Sequence, residues 1–586
     1  MSKRHFGTIV ASVTAVAVAC VLAVVIVALP QSAPDSGASG AGQGDTSNAD
    51  VPSEVATPAT AAESATEDVA DDPTQLEPGS VLATLATGTT PEAALESLSS
   101  ISGLDGISIA KASDDIVKFK LPDGMTVAKA TSLIENAPGI ASAQPNFRYY
   151  LTDEPQVSAD ASSLTGASLS AADGEDEATP DVKANDPYRS EQWALNSMKA
   201  PGAWNTVTST ATSSKYVTVA VLDSGFRKGH EDLKNVIVKT YNAANPGSDI
   251  FGDEDIAEHG THVAGIIAAQ ANNGKGIAGV AYNTSKYATC KLLPIRVTED
   301  NGGIYTDTLV NAYKWLKKVH STYNVRVVNM SLGGDRGDPK YEGDVLVEKQ
   351  MNALWKLGVV TVAAGGNIND WYTDTPFVTY PSDSPNVVGV INLSQSTNSD
   401  GVKRDSSSNF NTKKQKKKDI SAPGTDILSA YSSSNQSYTT MTGTSMASPA
   451  VAGALALVFR ANPKLTPAEA TSKLFSSAKD LTQCSGTKKG WDCYTGYGEV
   501  NVAAAVSAKT PYLSGNTLLR AGQNTQLTVK INNKKKAARS WKWTTSSTKI
   551  AKVTSTGKVI AKAKGDVIIT AKNGKQVARQ TLTIRK

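Results

Sequence analysis

Val219-Ala220-Val221-Leu222-Asp223-Ser224-Gly225 is an apolar run that ends on an acid and a turn. It predicts a buried strand from Tyr216 to Leu222, with Asp223 at its carboxyl end. In a parallel sheet such an acid faces the crevice where ligands bind. Asp-Ser-Gly alone is also a common turn or cap, so a functional role for Asp223 needs partners elsewhere in the chain. Short buried strands alternate with helices through to Ala508, which implies right-handed crossovers and a parallel sheet. Two further stretches lie downstream: His259-Gly260-Thr261-His262-Val263-Ala264-Gly265 and Gly443-Thr444-Ser445-Met446-Ala447-Ser448-Pro449. Each of the three stretches then holds one member of an acid, base and nucleophile set, the set acyl transfer requires.

A serine hydroxyl is a weak nucleophile at neutral pH, so an imidazole must take its proton. The chain has 5 histidines. His5 precedes the apolar N-terminal segment, His230 follows the Asp223 strand in a loop, and His320 ends an amphipathic helix from Thr306. His259 and His262 remain, three apart at the start of an apolar helix. A metal site is the alternative for this pair, but the His-Glu-x-x-His frame is missing. Ser445 is expected just before a helix from Ser448 to Arg460, near free backbone N–H groups, with Pro449 in the first helical turn. Ala447 in place of a second glycine excludes the Gly-x-Ser-x-Gly elbow.

The order Asp, His, Ser and the three stretches together resemble the subtilisin-like serine proteases, the subtilases, from about Asp186 to Ala508. The resemblance implies that His259 is the base, Asp223 its orienting acid, Ser445 the nucleophile and His262 a packed neighbour. It also implies that Asn367, after Val359 to Gly366, gives the side-chain donor of an oxyanion hole, with the Ser445 N–H as the second donor. Many subtilases carry His where this chain has Ala450, a position without a catalytic role. Asn329-Met330-Ser331-Leu332-Gly333-Gly334 matches the strand that pairs with an extended peptide. Ser331, Leu332, Gly333 and Gly334, with Gly365 and Gly366, would wall the main specificity pocket, and Tyr305 would cover a more distant subsite. Ile368 stands where some relatives carry an acid, so broad or apolar specificity is expected. Asp186, Asp232 and Asn273 fall where several relatives bind calcium, a hard cation suited to oxygen donors. A salt bridge or a turn are the plainer roles for these residues. No organic cofactor is expected.

The expected fold class is therefore multidomain. An α/β subtilisin-like domain, with a mostly parallel sheet and helices on both faces, spans 185–508. Residues 76–151 resemble the inhibitor-type propeptide of the family, an α+β ferredoxin-like fold with helices at Thr90–Ile101 and Thr126–Ala137 and strands at Asp115–Leu121 and Ile140–Phe147. The propeptide would act as folding template and intramolecular inhibitor, its tail lying in the cleft as a product would. Residues 152–184 form an acidic linker in which self-cleavage is expected. Residues 511–586 resemble a group-2 bacterial immunoglobulin-like domain, a small all-β sandwich.

The net charge is +3 over 586 residues, but it is unevenly spread. No Lys or Arg lies between Arg4 and Lys111, and Asp566 is the only acid from Pro511 to Lys586. The basic C-terminal domain suits contact with a cell wall or host surface, or serves as a spacer. The Lys413–Lys418 run reads as a solvated loop. Residues 1–30 read as a signal peptide or an N-terminal membrane anchor, and 31–75 as an acidic disordered linker. Either start places the rest outside a bacterial cell, secreted or at its surface, where a Cys484–Cys493 disulfide is expected. Cys290, on an apolar strand, reads as a buried thiol. Polypeptides are the expected substrates, with no nucleic-acid partner and no membrane contact beyond the N-terminal segment. A surface binding protein on an inactive scaffold is the competing class; the joint presence of Asp223, His259, Asn367 and Ser445 argues against it.

Overall fold

The computed structural model describes residues 71–113, 115–152, 184–208, 216–247, 255–335, 343–368, 376–412 and 416–586. The N-terminal segment 1–30, most of the linker after it, and residues 153–183, where cleavage is expected, lie outside the described residues.

The first domain runs β1 (Leu76–Leu85), α1 (Pro91–Ser99), β2 (Ser108–Ala112), β3 (Ile116–Lys120), α2 (Val127–Glu135) and β4 (Ile140–Leu151). The Thr90 hydroxyl accepts the Ala93 N–H and Pro91 opens α1, so the helix starts where cap chemistry dictates. Helix α2 buries Val127, Ala130 and Ile134, one apolar stripe at helical spacing. The strands form an antiparallel sheet in the order β4-β1-β3-β2. Strand β4 runs four residues past its expected end at Phe147 because its last residues pair outside their own domain.

The central domain adds α3 (Trp193–Ser197), α4 (Ala200–Thr208), β5 (Val217–Asp223), β6 (Tyr241–Asn242), α5 (Gly260–Ala268), β7 (Cys290–Arg296), β8 (Ile304–Tyr305), α6 (Thr306–Val319), β9 (Val325–Met330), β10 (Leu332–Asp335), α7 (Val345–Lys356), β11 (Val360–Ala364), β12 (Thr379–Tyr380), β13 (Val387–Gln395), β14 (Val402–Arg404), β15 (Lys418–Pro423), β16 (Ile427–Tyr431), β17 (Ser437–Met441), α8 (Thr444–Ala461), α9 (Pro467–Ser477) and α10 (Val502–Val506). Its main sheet has the order β14-β13-β11-β9-β5-β7-β6, with β15 beside β13, and is parallel except at β14. Strand β5 is buried throughout, as a run without alternation requires when helices cover both faces. Val219 and Val221 join one core with α5 and α8, while Ala220 and Leu222 join another with α6 and α7.

Helix α8 starts earlier than expected, at Thr444, so Ser445 lies within its first turn and Pro449 lies inside the helix. Proline cannot donate to the carbonyl four residues back. That carbonyl belongs to Ser445, and the Ser331 hydroxyl donates to it at 2.8 Å instead. The helix therefore tolerates Pro449 because the peptide-pairing stretch supplies the missing donor.

The last domain contains β18 (Tyr512–Ser514), β19 (Leu518–Arg520), β20 (Asn524–Gln526), β21 (Thr528–Ile531), β22 (Lys534–Lys535), β23 (Lys542–Thr545), β24 (Ala551–Val553), β25 (Lys558–Ala561), β26 (Gly565–Asn573) and β27 (Gln576–Arg585). These form small sheets around a core that includes Leu527, Trp541, Val559 and Leu582. The domain docks on α9: the Ser472 hydroxyl donates to the Arg579 carbonyl at 2.8 Å, and the Arg579 N–H donates to Ser476 Oγ at 2.9 Å. Asp566 pairs with Lys417 at 2.9 Å, and the Thr581 hydroxyl donates to Asp419 at 3.0 Å. The expected solvated lysine loop is thus corrected at its end. Lys417 is spent on this junction, and Lys418 is buried against Asp383 at 3.0 Å; Lys413 to Gln415 lie outside the described residues.

The sulfurs of Cys484 and Cys493, where a disulfide is expected, are not bonded to each other in this structure. The Cys484 thiol is turned to the Val402 carbonyl at 3.4 Å, while the backbone carbonyl of Cys493 accepts the Asn411 N–H. Cys290 is buried, and burial pushes its thiol up to about 12.

Candidate active site

The end of β5 brings Asp223 against the start of α5. Gly260 makes this approach possible, because a side-chain carbon there would stand 2.3 Å from the Gly225 carbonyl oxygen and 3.1 Å from Asp223 Cβ. His259, just before α5, places Nδ1 2.7 Å from Asp223 Oδ1. Both side chains are buried. Around them Asp255 accepts from the Ser224 hydroxyl and from the Thr261 N–H and hydroxyl, while the Gly260 N–H donates to Ser224 Oγ at 3.0 Å. This supporting set was not anticipated: Asp255 stands four residues before His259, but nothing in the local pattern marks it as the acceptor for Ser224 and Thr261.

His262 points the other way, one face round α5. Its Nε2 lies 2.9 Å from the Ile427 carbonyl and 3.1 Å from that of Thr439. Burial, and next the neighbouring His259, push its pKa down to about 3, so it is a neutral packing residue. His230 is also buried, its Nε2 2.9 Å from the Ser437 carbonyl, and His320 closes α6.

Ser445 lies in the first turn of α8, a helix packed on α5. Its hydroxyl donates to the Ser331 carbonyl at 3.1 Å. The same oxygen touches Thr152 Oγ1, and Asn367 Nδ2 donates to the Thr152 carbonyl. The other end of the Asn367 amide accepts the Thr444 N–H at 3.0 Å and the Thr444 hydroxyl at 2.9 Å. The amide is thus held with its N–H group toward Thr152.

Thr152 closes an extended segment that threads between two strands of the central domain. Leu151 pairs with Leu332 and Tyr150 with Gly333 on one side; Tyr149 pairs with Ile304 and Arg148 with Tyr305 on the other. All pairings are antiparallel, so the first domain extends its sheet into the edges of β8 and β10. Asn146 fixes the approach: its amide donates to Asp307 at 3.0 Å and accepts the Asp307 N–H at 3.1 Å at the start of α6. The structure pairs Asp223 with His259, gathers Ser331, Ser445 and Asn367 around Thr152 and the start of α8, and sets Leu332, Gly333, Gly334 and Tyr305 along the threaded segment. Gly365 and Gly366 stand behind Asn367. The Gly366 N–H donates to the Thr444 hydroxyl at 3.1 Å. Thr379 stands beside Gly333 and Gly366 and is held by the Asn409 amide at 2.9 Å.

Asp186, Asp232 and Asn273 also meet, away from this cleft. Asp186 accepts the Asn272 and Asn273 N–H groups, and Asp232 accepts the Asn273 amide, the Ile277 N–H and the Tyr438 hydroxyl. Burial, with Asp186 as a further charge, lifts the Asp232 carboxyl to about 6. The set has the oxygen chemistry of a hard-cation site. Among the described residues no group of three His, Cys, Asp or Glu side chains converges as a metal site.

Comparison with known proteins agrees with this architecture. Residues 214–498 match the subtilase family and residues 511–584 match the bacterial Ig-like domain, group 2. An extracellular protease of Xanthomonas campestris pv. campestris is 34% identical over 366 residues, covering 55% of this chain and 57% of that protein. The major intracellular serine protease of Bacillus subtilis is 37% identical over 266 residues, covering 44% of this chain and 72% of its own. In fold, the chain resembles fervidolysin from Fervidobacterium pennivorans, described as a keratinolytic enzyme related to subtilisin. That likeness has a TM-score of 0.58, 21% identity, and covers 85% of this chain and 71% of the other. Subtilisin DY of Bacillus licheniformis is 33% identical over 290 residues, which take up 49% of this chain and 90% of that protein. With nearly all of a subtilisin aligned, the chain belongs to the subtilase family of peptidases.

Proposed function

We propose that the chain is an exported serine endopeptidase made as a zymogen, acting through Asp223, His259 and Ser445. His259 takes the Ser445 proton as the hydroxyl oxygen attacks a peptide carbonyl. Asp223, on the far ring nitrogen, holds the tautomer and stabilises the imidazolium. Asn367 and the Ser445 N–H stabilise the oxyanion. His259 then returns the proton to the departing amine, leaving an acyl-enzyme. Water, deprotonated by His259, releases the acid and restores the serine.

One observation carries this reading. The chain lays its own segment in the cleft, with the Thr152 carbonyl on Asn367 and Thr152 against the Ser445 hydroxyl. This pose supports self-cleavage of the Thr152–Asp153 bond, after which residues up to Thr152 remain as an inhibitory product. Thr379 beside the glycine wall narrows the pocket for the residue at the bond, which favours a small side chain over the broad preference expected from sequence. Export is supported by the apolar N-terminal run and by the extracellular Xanthomonas relative. The test is expression of the chain and of Ser445→Ala. The first should release a piece whose mass ends at Thr152 and should label with a serine-directed fluorophosphonate; the variant should do neither. Labelling of both alike, or a processed variant, overturns the reading.

We also infer a calcium ion on Asp186, Asp232 and Asn273, supported by two carboxylates and an amide gathered at one loop. Calcium would supply the opposite charge and tie the start of the domain to the loop at 272–277. Thermal unfolding in excess calcium and in chelator tests this; an unchanged Tm overturns it.

A further inference from the structure

Four residues of the threaded segment occupy the cleft, and the most deeply buried of them is Tyr149, the fourth residue back counting Thr152 as the first. Its side chain is 1% exposed. The ring shares a core with Ile304, Leu332, Leu346 and Val347, and its hydroxyl donates to Asp344 Oδ2 at 2.9 Å. Gly334 leaves room for this part of the strand: a side-chain carbon there would stand 2.9 Å from the Arg148 carbonyl oxygen and 3.7 Å from the Tyr149 ring. The pocket is thus apolar along its walls and ends on a carboxylate.

We propose that Asp344 is a specificity-determining residue that selects substrates with tyrosine four residues back from the cleaved bond. This rests on the proteolytic reading above, with Thr152 marking the reacting position. Asp344 belongs to the central domain and is fixed before any peptide arrives. Its Oδ1 caps α7 by accepting the Val347 N–H at 3.1 Å, and its Oδ2 accepts the Thr306 hydroxyl. The first domain adds two donors, the Tyr149 hydroxyl on Oδ2 and the Gln144 amide on Oδ1 at 2.9 Å. When that domain departs, both leave together, while the Val347 N–H stays on Oδ1 and the Thr306 hydroxyl on Oδ2. With the strand in place Asp344 is only 3% exposed, so in the bound complex little water reaches the carboxylate to replace a missing bond. Tyrosine satisfies it. Phenylalanine fills the same volume without the hydroxyl that bonds Oδ2. A site built around a substrate hydroxyl rejects the analogue that lacks it far more strongly than an apolar pocket rejects a change of size.

The test compares two blocked peptides cleaved by the mature enzyme, Tyr-Tyr-Leu-Thr and Phe-Tyr-Leu-Thr, each followed by a fluorogenic amide. The Tyr peptide should show a kcat/KM higher by roughly 10- to 100-fold, the range for a hydrogen bond to a charged group. Asp344→Asn should narrow that ratio, since a neutral acceptor bonds less strongly while Asn still caps α7. Damage to folding would lower both rates together and leave the ratio alone. A ratio near one in the wild type, or one unmoved by Asp344→Asn, overturns the inference and leaves the peptidase reading intact. Cleavage of neither peptide by an enzyme that also fails to label at Ser445 overturns both.

Discussion

Asn367 uses both ends of its amide: Thr444 holds the oxygen, and the nitrogen reaches the Thr152 carbonyl. A donor fixed in this way costs no reorganisation when negative charge develops on that oxygen. Asn367→Ala should lower kcat by about 100- to 1,000-fold with little change in KM, read by steady-state kinetics. His262 makes a different prediction. Its folded pKa is about 3 and its ordinary value 6.5. Between these values the unfolded chain binds the extra proton, so stability present above pH 6.5 is lost as pH falls toward 3. The loss is on the order of a few kcal/mol. Tm should fall over that interval, and His262→Asn, which loses the titration, should give a shallower slope.

At the scale of elements, the proposed site draws on a strand end and two helix starts. Strand β5 delivers Asp223, α5 delivers His259, and α8 delivers Ser445. The α5 contact depends on Gly260, which packs against the Gly225 carbonyl. Gly260→Ala must push α5 away from β5. It should cost about 1–3 kcal/mol, as overpacking does, and should slow fluorophosphonate labelling of Ser445 in protein that remains folded by circular dichroism. The strands β8 and β10 leave between them a gap one strand wide, which β4 fills. Their free edges are the reason an extended peptide binds there through its backbone, with side-chain selection left to the pockets.

Across the whole molecule, the C-terminal domain is docked rather than strung behind. Its one acid, Asp566, is used at the junction with Lys417, and both side chains are largely buried, at 7% and 13% exposed. Removing one partner of a buried pair leaves the other charge without compensation. Asp566→Ala should weaken docking by up to about 3–5 kcal/mol. Calorimetry should then resolve two unfolding transitions where the wild type shows coupled melting, and limited proteolysis should cut near residue 510. The many lysines on the rest of this domain keep the charge that suited an anionic surface, but its place against α9 gives it a structural part in the enzyme as well.

The sequence by itself determined the family, much of the order of elements and the candidate residues for the site. Apolar runs marked the buried strands, cap residues such as Thr90 marked helix starts, and three short stretches named Asp223, His259 and Ser445, because chemistry restricts which residue types serve at such points. Local patterns carried less about where helices begin: α8 starts before its expected position since Ser331, 118 residues before Pro449 in the chain, replaces a donor that Pro449 lacks. The junction at Lys417 and the pocket ending on Asp344 were decided only in three dimensions. Each depends on groups far apart in the chain whose distance is set by packing, and no periodicity or spacing along one segment encodes that distance.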